Sequence, residues 1–92
     1  MSRSILQTTR EMCYLCHAFG ATEEHHVFNN NPNRKLSDKY GLTVYLCPQC
    51  HRTVHAEYGL REHLKQTAQR KAMKTYGWSV DDFRRIFGKN YL

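Results

Sequence analysis

The sequence predicts a small α+β domain built around one four-cysteine site, with helices following it. Three observations predict this. The chain has 92 residues, enough for one domain, and a chain of this size buries only about 60–65% of its unfolded surface, so its small core gains from a staple. The four cysteines fall in two pairs, Cys13-Tyr14-Leu15-Cys16 and Cys47-Pro48-Gln49-Cys50, with no thiol left over. Short β-branched and aromatic runs alternate with turn formers through the first half and then give way to a four-residue apolar spacing.

Residues 1–12 read as a polar N-terminal arm, and the first cysteine pair as a tight turn closed by Gly20. A strand is expected over residues 24–28. The stretch NNNPNRKLSDKYG, residues 29–41, is expected to be a loop, since asparagines, a proline and a closing glycine are all turn formers. LTVYLC, residues 42–47, has the composition of a second strand, ended by Pro48. HRTVHAEYG predicts a short helix stopped at Gly59, and residues 60–76 a longer one with Leu60, Leu64, Ala68 and Ala72 as its buried stripe. The last helix carries explicit signals. Ser79 is an N-cap with Asp82 three residues on, Trp78 and Phe83 stand at hydrophobic-staple positions, and Gly88 follows the end. Phe28, Tyr45, Phe83 and Phe87 are expected in the core. The whole reads as one domain: the arm, a metal-stapled core over residues 13–58, and a basic helical extension over residues 59–92.

The opening MSRSILQTTREM has no apolar h-region, and no run approaches the about 20 apolar residues of a membrane span. A reducing, cytoplasmic compartment and no membrane partner are therefore expected, which favours metal over disulfide. The net charge is +6. Residues 1–58 hold six Lys/Arg against five acids, a balance of +1, and residues 59–92 hold eight against three, a balance of +5. The excess in the last third suggests a polyanionic partner gripped away from the nearly neutral cysteine and histidine region. On the longer helix His63, Arg70 and Lys74 share one direction, a solvated face by default and a candidate track for a phosphate backbone.

Two C-x2-C knuckles separated by 30 residues supply four thiolates, the ligand count and type of a closed tetrahedral zinc site. The alternatives are two disulfides, or two mixed sites in which Cys47, Cys50, His51 and His55 close around one metal and Cys13 and Cys16 find His25 or His26. His25 and His26 are adjacent on a strand, so they face opposite ways. His51 and His55, at i and i+4, share one helix face. If the knuckles share one zinc, that helix lies beside the strand, and one strand histidine with two helix histidines makes an open three-ligand metal site. The other strand histidine is then an unliganded imidazole next to it, which is what a general base requires. His17, beside a knuckle cysteine, is read as a surface residue.

The run CYLC, EHHV, YLCPQCHRTVH resembles the HNH endonucleases, and the resemblance covers residues 13–55. It implies a ββα-metal, treble-clef-like core: a two-stranded hairpin and one helix, bolted by a four-cysteine zinc. Carried over position by position, it implies His26 as general base, His25 and His51 as ligands of a catalytic divalent ion with His55 as a further ligand or a phosphate contact, and Cys13, Cys16, Cys47 and Cys50 on structural zinc. The catalytic ion would be zinc, nickel, manganese or magnesium. The partner implied is double-stranded DNA, cut by hydrolysis of a phosphodiester, with Arg34, Lys35, Arg52, Arg70 and Lys74 as candidate phosphate contacts. NRKLS, YGL and the closing FGKNYL are similar to a small phage or prophage branch, hence a bacterial or phage-infected cell, and a monomer or weak dimer.

One position departs from the pattern. The family's middle asparagine, nine residues before the final histidine, falls here on Leu42. Either a loop asparagine such as Asn33 takes over its task of pinning the hairpin loop and so orienting the base, or the base is held less rigidly. The alternative function is a zinc-dependent nucleic-acid-binding module without catalysis.

Overall fold

The computed structural model describes residues 4–30 and 32–92. In order along the chain its elements are β1 (Glu23–His26), α1 (Asn33–Tyr40), β2 (Thr43–Leu46), α2 (Pro48–Ala56), α3 (Tyr58–Tyr76) and α4 (Val80–Phe87). The α+β class is as expected. β1 and β2 form one antiparallel pair in which Glu23 stands opposite Leu46, His25 opposite Val44 and His26 opposite Thr43. Directly opposed residues share a face. Glu23, His25, Val44 and Leu46 therefore make one face, which α2 covers, and Glu24, His26, Thr43 and Tyr45 make the other. No helix of the described residues is long and apolar enough to cross a membrane.

The expected loop over residues 29–41 is overturned, because most of it is α1; Asn31 lies outside the described residues. Asn33, Leu36, Ser37 and Tyr40 recur at i, i+3, i+4 and i+7, a helical face with two polar members. Those polar members are satisfied at long range. The Ser37 hydroxyl accepts from the Phe28 N–H at 3.1 Å and donates to the Phe28 carbonyl at 2.8 Å, and the Asn33 amide donates to the Phe87 carbonyl at 3.0 Å. Gly41 stops the helix in the left-handed region, φ 74°, with its N–H on the Ser37 carbonyl.

The break between α2 and α3 also differs from expectation. Glu57, in extended conformation, separates the two helices, and Gly59 continues inside α3. Leu64, Ala68 and Ala72 are buried as the stripe predicts, together with Gln69. Gln69 is paired: its carbonyl accepts from Tyr91 N at 2.8 Å and its amide donates to Asn90 Oδ1 at 2.7 Å. α4 starts as expected, with Ser79 and Asp82 in a reciprocal capping box. It brings Phe83 and Phe87 onto Phe28, with ring centroids 5.5 and 4.9 Å away, and Tyr91 follows at 5.0 Å. The C-terminal helices thus share their core with the hairpin. Tyr45, expected inside, is half-buried with the Arg10 guanidinium over its ring.

The N-terminal arm is not a loose extension from residue 4 onward. Ser4 Oγ donates to the Thr43 carbonyl, Ile5 N–H to the Gly41 carbonyl at 2.9 Å, and Gln7 Oε1 accepts from Tyr45 N at 2.7 Å. Tyr14 N–H donates to the Tyr45 carbonyl at 2.8 Å. The arm and the first knuckle therefore occupy the outer edge of β2. Among the described residues no third strand pairs with the outer edge of β1, which borders the histidines.

Ser37→Ala would leave the buried Phe28 backbone groups without their partner, and is expected to cost about 1–3 kcal/mol of stability. A urea melt with an unshifted midpoint would show that the bond contributes nothing.

Candidate metal centres

Each cysteine pair shapes its own turn. In the first, Cys16 N–H donates to Cys13 Sγ at 3.5 Å and His17 N–H to the Cys13 carbonyl at 3.0 Å. His17 ends the turn in the left-handed region, φ 65°, and is exposed, so it is a turn residue and not a ligand. In the second, Cys47 is the N-cap of α2. Its sulfur accepts from Cys50 N at 3.4 Å, and Pro48 enters the first turn, where its missing N–H costs nothing.

The four Sγ atoms lie within 4.8 Å of one another, and Cys16 and Cys47 approach to 3.8 Å. Sulfurs at about 2.3 Å from a tetrahedral zinc stand about 3.8 Å apart, so the spacing fits the ion. None of the four is in a disulfide. Electrostatics agree with the geometry. At Cys13, burial raises the thiol pKa, but N–H donors from Cys16, Cys47 and Leu15 outweigh it and bring the value down to about 6. Cys50 is pushed up to about 12 by burial and by hydrogen bonds with the other three sulfurs. One thiolate is welcome and a further one is penalised, a conflict that a dication removes. The cluster can thus hold a structural metal such as zinc. The two-site alternative, which splits the cysteines, does not match this arrangement.

The histidines form a second cluster. His25 on β1 and His51 and His55 on α2 bring one ring nitrogen each within 4.8 Å of the others. Nε2 of His51 and Nε2 of His55 are 3.2 Å apart. Nitrogens at about 2.1 Å from a common ion stand about 3.0–3.4 Å apart at cis-octahedral or tetrahedral angles, so this pair has ligand spacing. Glu23 Oε1 lies 2.7 Å from His51 Nδ1. A proton on Nδ1 directed at this carboxylate leaves the Nε2 lone pair facing His55, the usual arrangement behind a metal-binding imidazole. Burial, and then the charges of His51, His55, His26 and Lys65, lower the His25 pKa to about 4. His25 is therefore neutral, with a lone pair to offer, throughout the physiological range.

His26 looks the other way, as strand alternation requires. Its Nε2 lies 3.8 Å from both Glu24 Oε1 and Asp38 Oδ1. Asp38 Oδ1 is buried without a hydrogen-bond partner. Asn33 binds the Phe87 carbonyl and does not hold His26, so the stand-in suggested for the middle asparagine fails. Ser37 ties the inter-strand segment instead, and Asp38 beside it borders the imidazole.

Although the two strand histidines face apart, the open edge of β1 lets both reach one cleft of about 180 Å³, shared with Glu24, Asn29, Arg34 and the two helix histidines. Arg52 lines a neighbouring cavity against His51 and His55. Lys35, Arg70 and Lys74 are exposed and line neither. Sequence reasoning missed Glu23 and Asp38. Glu23 carried a signal, since it stands two residues before His25 and hence on the same face. Asp38 carried none while its segment was taken for a loop. Comparison of the chain with protein-family models, curated proteins and solved structures finds no match.

Cys13→Ser or Cys47→Ser is expected to abolish cooperative thermal unfolding together with one tightly held zinc, because metal-binding energy is folding energy in so small a domain. A zinc-free variant that folds normally would refute the shared site. His51→Ala is expected to keep that zinc and lose a second divalent ion, and His26→Ala to keep both, as read by metal analysis of the purified proteins.

Proposed function

We propose that this chain is a metal-dependent DNA endonuclease of the HNH class that hydrolyses phosphodiester bonds. The observation that carries the reading is the division of labour among four histidines. His25, His51 and His55 converge, while His26, next in sequence to His25, stays out of their set and opens on the same cleft. A hairpin and a following helix joined by four sulfurs support a ββα-metal core, here with α1 inserted between the strands.

In this reading His26 takes the proton from a water that attacks phosphorus in line. Glu24 and Asp38 flank the ring and limit its rotation. A divalent ion on the three convergent imidazoles would polarise the phosphate and stabilise charge on the departing 3′ oxygen. Glu23 holds His51 in the tautomer this requires. Arg34 and Arg52, on either side of the histidines, neutralise flanking phosphates. The +5 balance of residues 59–92 favours a nucleic acid as substrate.

Supercoiled plasmid incubated with each divalent ion tests the proposal. Wild type is expected to produce nicked circles before linear molecules, since one site with one base cuts one strand per engagement. His26→Ala is expected to lower turnover about 10²–10⁴-fold with its metals retained. A wild-type protein that binds DNA and leaves plasmid intact with every ion would establish the non-catalytic binding module instead. Equal cleavage by His26→Ala would remove the base from its role.

A further inference from the structure

We propose that the cavity between the end of β1 and the first half of α3 is a phosphodiester-binding subsite, where Arg61 and Lys65 hold a backbone phosphate adjacent to the one at the histidines. This deepens the nuclease reading and rests on it. Neither residue is among the cations singled out from the sequence, which placed the grip at Arg70 and Lys74.

The cavity is about 290 Å³ and is lined by His25, Asn29, Asn30, His55, Arg61 and Lys65, with Val27 at its floor. Two cations, two imidazoles and two carboxamides face it, and no carboxylate does. That is a lining an anion selects, since carboxamide N–H groups and the two cations donate. Two ligands of the candidate metal set, His25 and His55, form one wall, so an anion here is a neighbour of that site rather than a distant surface contact.

The two cations are built in. Arg61 and Lys65 stand at i and i+4 on α3 and share a face. One guanidinium nitrogen of Arg61 donates to the carbonyls of Val54, at 3.3 Å, and His55, which anchors the side chain on the C-terminal turn of α2. Its remaining N–H groups, three of the about five that a guanidinium carries, are left for a ligand. The Lys65 ammonium lies over the Tyr91 ring, 5.4 Å from its centroid, and pairs with Glu62 at 3.3 Å. A partly exposed pair of this kind contributes little and yields readily to a phosphate. Arg34 and Arg52 border the same histidines from other sides, so four cations ring them. By helix rise, Arg70 and Lys74 lie about 8 and 14 Å beyond Lys65.

The test measures binding of a short DNA duplex, without added divalent ion, as a function of potassium chloride concentration. Proteins compared are wild type, Lys65→Met, Lys65→Arg, Arg61→Lys and the double variant Arg70→Gln/Lys74→Gln. Lys65→Met keeps an unbranched side chain of similar length and removes the charge. It is expected to weaken binding about fivefold to tenfold at low salt and to lower the slope of log K against log salt by about 0.9, one phosphate contact. Lys65→Arg should restore both, Arg61→Lys should retain the slope, and the double variant should lose less than Lys65→Met. Wild-type affinity and slope in Lys65→Met, with plasmid still cleaved by wild type, would overturn the subsite and leave the nuclease reading intact. Absence of DNA binding by wild type itself would overturn both.

Discussion

Everything that positions the histidines depends on four sulfurs meeting at one point. The first knuckle leads into the strand that carries His25 and His26, and the second opens the helix that carries His51 and His55. These segments lie about 30 residues apart, and a two-stranded pair with a small apolar face would hold them only weakly on its own. Bringing Cys13 and Cys16 against Cys47 and Cys50 sets the strand beside the helix. Convergence of three imidazoles is the geometric consequence. The apolar core then adds to a layout already determined: Val44, Leu46 and Val54 close under the histidines, and Phe28 extends the same core toward Phe83 and Phe87.

The second constraint is what each sheet edge meets. A bare edge presents unpaired backbone groups and invites another strand. The edge of β2 is taken by residues 4–14, largely through the side chain of Gln7 and the backbone of Ile5 and Tyr14. The edge of β1 instead borders a polar cleft. Histidines that alternate across a strand can line one cleft only at such an edge, because anywhere deeper in a sheet the two faces would open on separate surroundings.

Legibility in the sequence followed the range of the interactions. α4 could be read because its start and stop are encoded within a few residues, in Ser79, Asp82 and Gly88. The strands were placed to within two residues because alternation is local as well. α1 could not be read: its polar residues look like turn formers until Ser37 and Asn33 find partners 9 and 54 residues away. Gly59 looked like a stop, yet with nothing within 4 Å of its missing side chain it continues the helix at the expense of propensity alone. At the histidines, alternation and the i, i+4 rule implied that one strand histidine joins the two on the helix, and the resemblance named it as His25. Of the carboxylates behind them, Glu23 shares the face of His25 by the same alternation, whereas Asp38 depends on how β1 meets α1, which no local pattern encodes.

Cys47 caps α2, and His51 and His55 follow it at four-residue steps, so one sulfur of the first cluster and two imidazoles of the second are indexed on a single helix. A one-residue insertion or deletion between Cys50 and His55 would turn His55 by about 100° relative to the sulfurs and remove it from His25. α1 carries no member of either cluster, yet Ser37, Asp38 and Arg34 fix its phase against Phe28 and the histidine cleft. Length change in homologous chains should therefore be tolerated least between residues 47 and 55, which makes the spacing from the fourth cysteine to the last histidine the measure by which related sequences can be aligned.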